Sequence, residues 1–380
     1  MKAPCEGQAL SNVAVPRSRR SYNHESENAS RRVYSVNEWD PLEEVIVGRA
    51  DHACLASWSA AFRHLPRPEQ VKEIERILPV LVERAYAEPR IVAANTALDR
   101  LAEILTAEGV TVRRPDVVDW RNGYSSPEWS SACGYSAANP RDVFMVIGDI
   151  ILETPMAARD RYFESWAYKG LLNEYSRAGA RWVSAPKPRL ATSLFSDGPT
   201  SDGHPFGLME DEPVFDAADF MRCGKNIVSQ LSWVTNQRGV NWLRTFLGSE
   251  YRVHLVRSID PDAYHIDTTF IPLCEGVALV NPNYLDLRLL PDFMKSWDLL
   301  ISPDMVPYPK DHRGYVSDWI GMNVLSLDSK RVMVDRRQEP LIAKLHDWGF
   351  KPIVMDISAM YPMGGGFHCA TLDIRRASTE

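Results

Sequence analysis

Long apolar runs are missing from this 380-residue chain: none approaches the roughly 20 residues that a membrane span requires. Clustered cysteines are missing as well. Cys5, Cys54, Cys133, Cys223, Cys274 and Cys369 stand far apart, with no CxxC pair and no signal peptide ahead of them. That usage fits free thiols in a reducing, cytoplasmic compartment better than a disulfide framework. Metal-ligand spacing is equally absent. There is no HxxxH, and His368 and Cys369 are adjacent, which is poor geometry for joint ligation, so no metal is expected. No GxGxxG or GxxxxGKS/T follows a strand-like segment, which removes the usual nucleotide signatures. Nor is there a basic excess. Lys and Arg number 43 against 50 Asp and Glu, a net charge of −7, which argues against nucleic acid or an anionic membrane as the main partner.

What is present is ordinary for a soluble globular enzyme: 45% apolar and 24% charged residues. Residues 1–32 differ. They are rich in Ser, Asn and Arg, poor in aromatics and without periodic apolar spacing, so they read as a flexible arm ahead of a single catalytic domain over 33–380. Glu6, Glu25 and Glu27 and the missing apolar face count against a mitochondrial presequence.

From residue 142 onward one order recurs: an apolar hairpin, an amphipathic helix, a turn that is usually Gly, and one more strand. Asp142 to Glu153 reads as two strands around Gly148-Asp149. Helical spacing follows from Arg159 to Ala178, then Gly179 and the strand Trp182-Val-Ser184. A second copy runs through Asn226-Ile-Val-Ser, a helix from Val240 to Leu247, and Tyr251 to Val256. The third has strands either side of Glu275-Gly276, a helix near Leu289 to Trp297, and Leu299-Leu-Ile. The fourth has strands either side of Asp328-Ser329, a helix from Pro340 to Trp348, and Pro352-Ile-Val-Met. An earlier unit fits less neatly: Glu44-Val-Ile-Val, helical segments between Glu69 and Glu108, and Val110-Thr-Val-Arg. Five units, with Cys369 to Ile374 available to pair with the first, predict a closed ring, which protects strand edges. An open doubly wound sheet is the alternative. In a ring, polar residues at strand and hairpin ends converge on the axis.

Gly364-Gly-Gly-Phe-His-Cys369 is the most unusual segment. Three glycines permit close approach of a ligand, and a Cys after them, at the start of an apolar strand, is placed for exposure. With a His or cation nearby its thiolate could act as a nucleophile. A glycine turn followed by a buried core Cys fits the same segment equally well. His265-Ile-Asp267 opens the third hairpin, where alternation puts His265 and Asp267 on one face. A His shuttles protons near neutral pH and a carboxylate beside it grips a cation, although a solvated strand end would look the same. Asp216-Ala-Ala-Asp219 and Pro140-Arg-Asp142 stand at strand entrances, where acids commonly form turns. Tyr162 to Tyr168 reads as core, Cys54, Cys133, Cys223 and Cys274 as inert, and Asp328 to Arg331 as a hairpin turn.

Taken together, Tyr34-Ser-Val-Asn-Glu-Trp-Asp-Pro-Leu-Glu-Glu-Val-Ile-Val-Gly48, Val110-Thr-Val-Arg-Arg-Pro-Asp116, Phe215-Asp-Ala-Ala-Asp-Phe220, His265-Ile-Asp267 and Gly364-Gly-Gly-Phe-His-Cys369 resemble the glycine/inosamine amidinotransferase family, within the guanidino-group-modifying superfamily. The resemblance runs from about 33 to 376. It implies an α/β fold, a five-bladed propeller of repeated ββαβ units. It also implies Cys369 as nucleophile, His265 as general acid/base, Asp216 as the carboxylate partnering that histidine, and Asp142 and Asp267 as the pair gripping a guanidinium. Ser317 matches a position that touches the amino-acid end of the donor. The implied reaction moves the amidino group of L-arginine to an amine through an amidino-cysteine, with neither metal nor cofactor.

This chain departs from the glycine-forming pattern at Tyr284, where an Arg for the donor carboxylate is expected; a tyrosine offers one hydrogen bond and no charged fork. Asp262 and Tyr264 also differ, and an extra acid and a ring there favour an acceptor larger or more cationic than glycine, such as lysine or a natural-product amine. The other readings are a glycine amidinotransferase making guanidinoacetate, a hydrolase of arginine or methylarginine on the same fold, and a non-catalytic binding protein. A homodimer is expected from the base rate for soluble enzymes.

Overall fold

The computed structural model describes residues 32–55, 86–196, 199–201, 203, 205–260, 263–308 and 317–377. The arm expected over 1–32 thus lies outside the described residues except for Arg32, as do Cys5, Asp262 and most of the helical stretch expected before Glu88.

The fold is mixed α/β. Five three-stranded sheets share one pattern, a central strand with an antiparallel neighbour on one side and a parallel one on the other. The first sheet sets Leu42–Val47 between Thr371–Arg376, antiparallel, and Thr111–Arg113, parallel, so the end of the chain pairs with its beginning. The second comprises Phe144–Ile147, Ile150–Glu153 and Arg181–Ser184. The third holds Phe220–Cys223, Asn226–Ser229 and Arg252–Leu255, and the fourth Phe270–Cys274, Val277–Val280 and Asp298–Ile301. Leu325–Ser326, Arg331–Asp335 and Lys351–Met355 form the fifth.

The hairpin strands are short apolar runs; those of the second sheet are buried along their whole length. Apolar clusters lie between successive sheets. Ile46, Leu372, Val146 and Ile151 join the first and second, and Ile147, Leu152, Phe220 and Ile227 the second and third. Val228, Phe270, Leu279 and Val334 continue through the third, fourth and fifth, and Leu325 and Met333 meet Val45 and Val47 of the first. Helices return the chain from hairpin to parallel strand. Glu88–Ala107 buries Ile91, Ala94, Leu98, Leu101 and Leu105 at three- and four-residue spacing. Gln237–Leu247 is capped by the Asn236 side chain, which accepts from the Gly239 amide at 2.8 Å. At the Asp328 hairpin, the carboxylate accepts the amides of Lys330 and Arg331, each at 2.8 Å.

Two expected helices are corrected. Arg159 to Ala178 is helical only over Lys169–Arg177; before it come the 3-10 turns Arg159–Arg161 and Glu164–Tyr168. Arg161 at the end of the first turn and Glu164 at the start of the second form a buried ion pair, while Trp166, expected in the core, is 63% exposed. Leu289 to Trp297 forms only the turns Leu287–Leu289 and Asp292–Ser296, because Pro291 between them interrupts an α-helix.

Buried charge sits where the sheets meet. Glu38 accepts from Arg222 Nε at 2.7 Å and Arg141 Nη1 at 3.0 Å. Asp373 accepts from Arg141 at 2.5 Å, Arg222 at 2.8 Å and Arg376 at 2.7 Å. Arg222 also donates to the Val146 carbonyl and Arg376 to that of Ser326, so the network ties the first, second, third and fifth sheets. Among the described residues, no helix is long and apolar enough to cross a membrane.

Candidate active site

The residues that converge share a position in the repeat, just before the first strand of a hairpin. Asp142 lies in the turn Pro140–Val143 before Phe144, and Asp216 caps the turn Ala217–Asp219 before Phe220. His265 caps the turn Ile266–Thr268 that carries Asp267 before Phe270. Asn323 and Cys369 each stand two residues ahead of a strand, at Leu325 and Thr371. His265 is extended, as alternation requires, but Asp267 sits in a 3-10 turn rather than on a continuing strand. The expectation that Cys369 is exposed is corrected. Its relative exposure is 2%, because Asp267, Asn323 and the glycine segment pack around the sulfur.

Cys369 Sγ donates to Asp267 Oδ2 at 3.1 Å and accepts from Asn323 Nδ2 at 3.1 Å. His265 Nε2 lies 3.2 Å from Asp216 Oδ2, and its Nδ1 faces Asp142 Oδ1 at 3.6 Å. Asp142, His265 and Cys369 present atoms within 4.8 Å of one another. Those atoms could ligate a metal ion, which would then occupy the thiol itself. The glycines make the approach possible. Gly364 has φ +80°, which disfavours a side chain, and a Cβ on Gly365 would stand 2.4 Å from Asn139 Oδ1 and 2.6 Å from Cys369 Cβ.

Several buried residues without a role assigned from the sequence also line the site. Arg161 Nη2 pairs with Asp142 Oδ2 at 2.9 Å and Glu164 at 2.8 Å, and Nη1 approaches Asp216 at 3.5 Å. Asp219 accepts from Ser232 at 2.5 Å and Gln230 at 3.1 Å. His368 Nδ1 lies 3.2 Å from Asp267 and Nε2 3.5 Å from Glu38, linking the site to the buried charge network. Position in the repeat was the signal available for Asn323.

Charge is distributed unevenly. Burial would lower His265, but Asp142 and Asp216 outweigh it and hold the imidazole up at about 9. Burial, then the charges of Asp267 and Asp142, push the Cys369 thiol well above its ordinary range. Burial also raises Asp142, against the pull of His265 and Arg161, and takes Asp219 up to about 7. For Asp267, burial is outweighed by His368, and the carboxyl falls below its ordinary value.

Of the weaker candidates, Tyr284 and Ser317 meet at Trp319, and Tyr264 lies against the cluster itself. Tyr284 is half-buried with its ring 6.1 Å from Trp319, whose amide donates to Ser317 Oγ at 3.1 Å. Trp319 leads into the turn Ile320–Met322 that carries Asn323. Tyr264 packs against His265, ring centroids 4.4 Å apart.

A buried thiol, an imidazole and facing carboxylates on repeated α/β units are groups suited to nucleophilic and acid–base chemistry, the equipment of a cysteine-dependent enzyme. Similar proteins make that class specific. An L-arginine:L-lysine amidinotransferase of Pseudomonas savastanoi pv. phaseolicola is 43% identical over 349 residues, covering 90% of this chain and 94% of that protein. The mitochondrial glycine amidinotransferase of Danio rerio is 40% identical over 361 residues, covering 91% and 83%. Among solved structures, SxtG, an amidinotransferase of the saxitoxin biosynthetic pathway from Microseira wollei, superposes with a TM-score of 0.82 at 45% identity, over 92% of this chain and 98% of that one. The inosamine-phosphate amidinotransferase of Streptomyces griseus does so with a TM-score of 0.82 at 37% identity, over 91% and 97%. No family model matches the chain. The chain belongs to the glycine/inosamine amidinotransferase family and is an amidinotransferase.

Proposed function

We propose that the enzyme transfers the amidino group of L-arginine to an amine larger than glycine, through an amidino-cysteine on Cys369, on a five-bladed α/β propeller. One observation carries the reading: two buried acceptors without hydrogen-bond partners, Asp142 Oδ1 and Asn139 Oδ1, stand beside the buried thiol. Buried acceptors are normally satisfied, and a guanidinium supplies the N–H groups that these lack. Asp142 and Asp267 then hold the cation with its carbon over Sγ. The propeller reading is supported by five like-patterned sheets and by the apolar clusters between them.

Substrate charge prepares the nucleophile. In the free enzyme Asp267 and Asp142 oppose a thiolate, and a guanidinium between them cancels that field, so the thiol ionises once the substrate is in place. Sulfur attacks the guanidinium carbon and the C–S bond forms. His265, protonated near neutral pH, gives its proton to Nε of the arginine as the bond between that nitrogen and the amidino carbon breaks. Ornithine leaves as the amine and His265 is left neutral, the thiol proton having gone to solvent when the guanidinium bound. The acceptor reverses the sequence: its nitrogen attacks the amidino carbon, His265 takes its proton, and the thiolate departs.

Tyr284 in place of the expected Arg, and Tyr264 against His265, support a bulkier acceptor, and the likeness to the L-arginine:L-lysine enzyme supports lysine. Free thiols among the described residues support the cytoplasm as the compartment, and a homodimer follows from the base rate.

Intact-protein mass spectrometry after mixing with arginine and no acceptor tests the reading. Wild type is expected to gain the mass of one amidino group and Cys369→Ala none. The loaded enzyme is then offered glycine, lysine and bulkier amines. Citrulline as the product would make the enzyme a hydrolase, and glycine turning over as well as lysine would remove the acceptor assignment.

A further inference from the structure

We propose that Asn323 is a catalytic residue, its side-chain N–H holding the sulfur of Cys369 and stabilising the thiolate in both halves of the transfer. This rests on Cys369 being the nucleophile.

The orientation of the amide is fixed by its surroundings. Asn323 Oδ1 accepts from the backbone amides of His368 at 2.9 Å and Cys369 at 3.2 Å. Two donors on one end leave that end as the oxygen, so the NH2 end faces Sγ, at 3.1 Å. The residue is 1% exposed, its carbonyl accepts from the Phe367 amide at 3.2 Å, and its own amide donates to the Ile320 carbonyl at 2.9 Å. The glycine segment is shaped to admit it, since a Cβ on Gly366 would stand 2.7 Å from Asn323 Oδ1 and 3.0 Å from Asn323 Cβ. Side chain and nucleophile loop are therefore built against each other.

The charged and titratable groups facing the sulfur are Asp142 from the turn Pro140–Val143, Asp267 and His265 from the turn before Phe270, and the neighbouring His368. Asp267 and Asp142 disfavour a thiolate. Asn323 supplies a neutral donor with the opposite effect, and it costs no charge that would repel the incoming guanidinium. A hydrogen bond strengthens when its acceptor becomes charged, so this one is worth more to the thiolate than to the thiol. The thiolate arises twice, as attacking group and as leaving group when the acceptor nitrogen expels it. Asn323 also fills, in the fifth repeat, the strand-entrance position that Asp142 and Cys369 occupy elsewhere.

The test is the pH dependence of Cys369 alkylation by iodoacetamide, located by peptide mass spectrometry, beside steady-state kinetics of arginine turnover, in wild type and in Asn323→Ala, which removes the donor without adding charge. The inflection of the alkylation profile is expected to move up by about one pH unit or more, a roughly tenfold loss of thiolate at fixed pH. The value of kcat should fall at least about tenfold at pH 8 and recover partly at higher pH, with KM for arginine changed only a few-fold. Asn323→Ser, too short to reach the sulfur, is read in the same way if the alanine variant does not fold. A folded variant with the wild-type inflection overturns the proposal, whatever its kcat, because a scaffold residue would lower the rate at every pH alike. Undiminished transfer by Cys369→Ala would instead sink the nucleophile itself.

Discussion

Arg161 holds Asp142: its Nη2 lies 2.9 Å from Oδ2, and the other carboxylate oxygen is left facing Nδ1 of His265 at 3.6 Å. A guanidinium belonging to the chain thus occupies one side of the carboxylate proposed to grip the guanidinium of the substrate. Glu164 in turn holds Arg161 through Nε and Nη2. The arrangement lets several buried acids share one cavity, because Arg161 also approaches Asp216 at 3.5 Å.

Removing that cation should therefore injure both fold and site. Arg161→Gln leaves Asp142, Asp216 and Glu164 buried without their partner, and breaking a buried pair from one side costs about 3–5 kcal/mol. Thermal unfolding should show the loss, and KM for arginine should rise at least about tenfold as Asp142 takes up a proton. Arg161→Lys keeps the charge but not the fork, so it should recover stability more than binding.

His265 gives a pH signature. Its imidazole is held at about 9 in the folded chain, against an ordinary 6.5. A raised value means stability that is complete below about 6.5 and is lost as pH rises through about 9. The difference in unfolding free energy between wild type and His265→Gln should shrink over that window. NMR titration of Cys369→Ala should place the His265 midpoint near 9 without ligand. Saturating arginine should lower it, since a bound guanidinium cancels the charge of Asp142 that raises it. A midpoint unmoved by arginine would mean the cation binds elsewhere.

The buried charge network should make the fold acid-sensitive. Burial would raise Glu38, but Arg222 and Arg141 bring it well below its ordinary value, and Arg141, Arg376 and Arg222 do the same for Asp373. Lowered carboxyls stabilise above their unfolded values and lose that contribution as pH falls through the folded ones. Urea unfolding of wild type should weaken progressively below about pH 4.5, the ordinary value for Glu. Glu38→Gln, with no carboxyl there to protonate, should start about 3–5 kcal/mol lower and show a shallower acid dependence.

Which parts were legible in the sequence follows from how each residue announces itself. The hairpins showed as short apolar runs broken by turns, and the pairing of the last strand with the first followed from counting units. Asp142, Asp216, His265, Asp267 and Cys369 showed as acids, an imidazole and a thiol at strand entrances. Turn formers or a core Cys would look the same there, and the family resemblance singled them out. Asn323 occupies the same entrance but carries no charge, so only its place in the repeat marks it. Arg161 and Glu164 were hidden inside an apparently amphipathic helix, whose aromatic spacing masked two 3-10 turns. Arg222, Asp373 and Arg376 lie within strands, where alternation reads a charge as facing solvent; here those charges are buried because they meet one another. Contacts between residues 150 or more positions apart leave no mark on local periodicity.

The glycine segment offers the sharpest steric test. Gly365 packs between Asn139 and Cys369, with its missing Cβ 2.4 Å from one side-chain oxygen and 2.6 Å from the other residue's Cβ. Neither neighbour can give way cheaply. Asn139 is held by its Nδ2 hydrogen bond to the Met363 carbonyl at 2.6 Å, and Cys369 by the contacts of its amide and sulfur with Asn323. Gly365→Ala should therefore shift the cysteine by a sizeable fraction of an ångström, and a misplacement of about 1 Å can cost roughly a hundredfold in rate. The strain of overpacking is about 1–3 kcal/mol, enough to lower the melting temperature without unfolding the chain. The expected variant is folded and fails to load the amidino group from arginine within the time wild type takes to load fully, as read by intact mass. Loading at the wild-type rate would mean that the loop relaxes freely and that the tight packing around Cys369 does not set its reactivity.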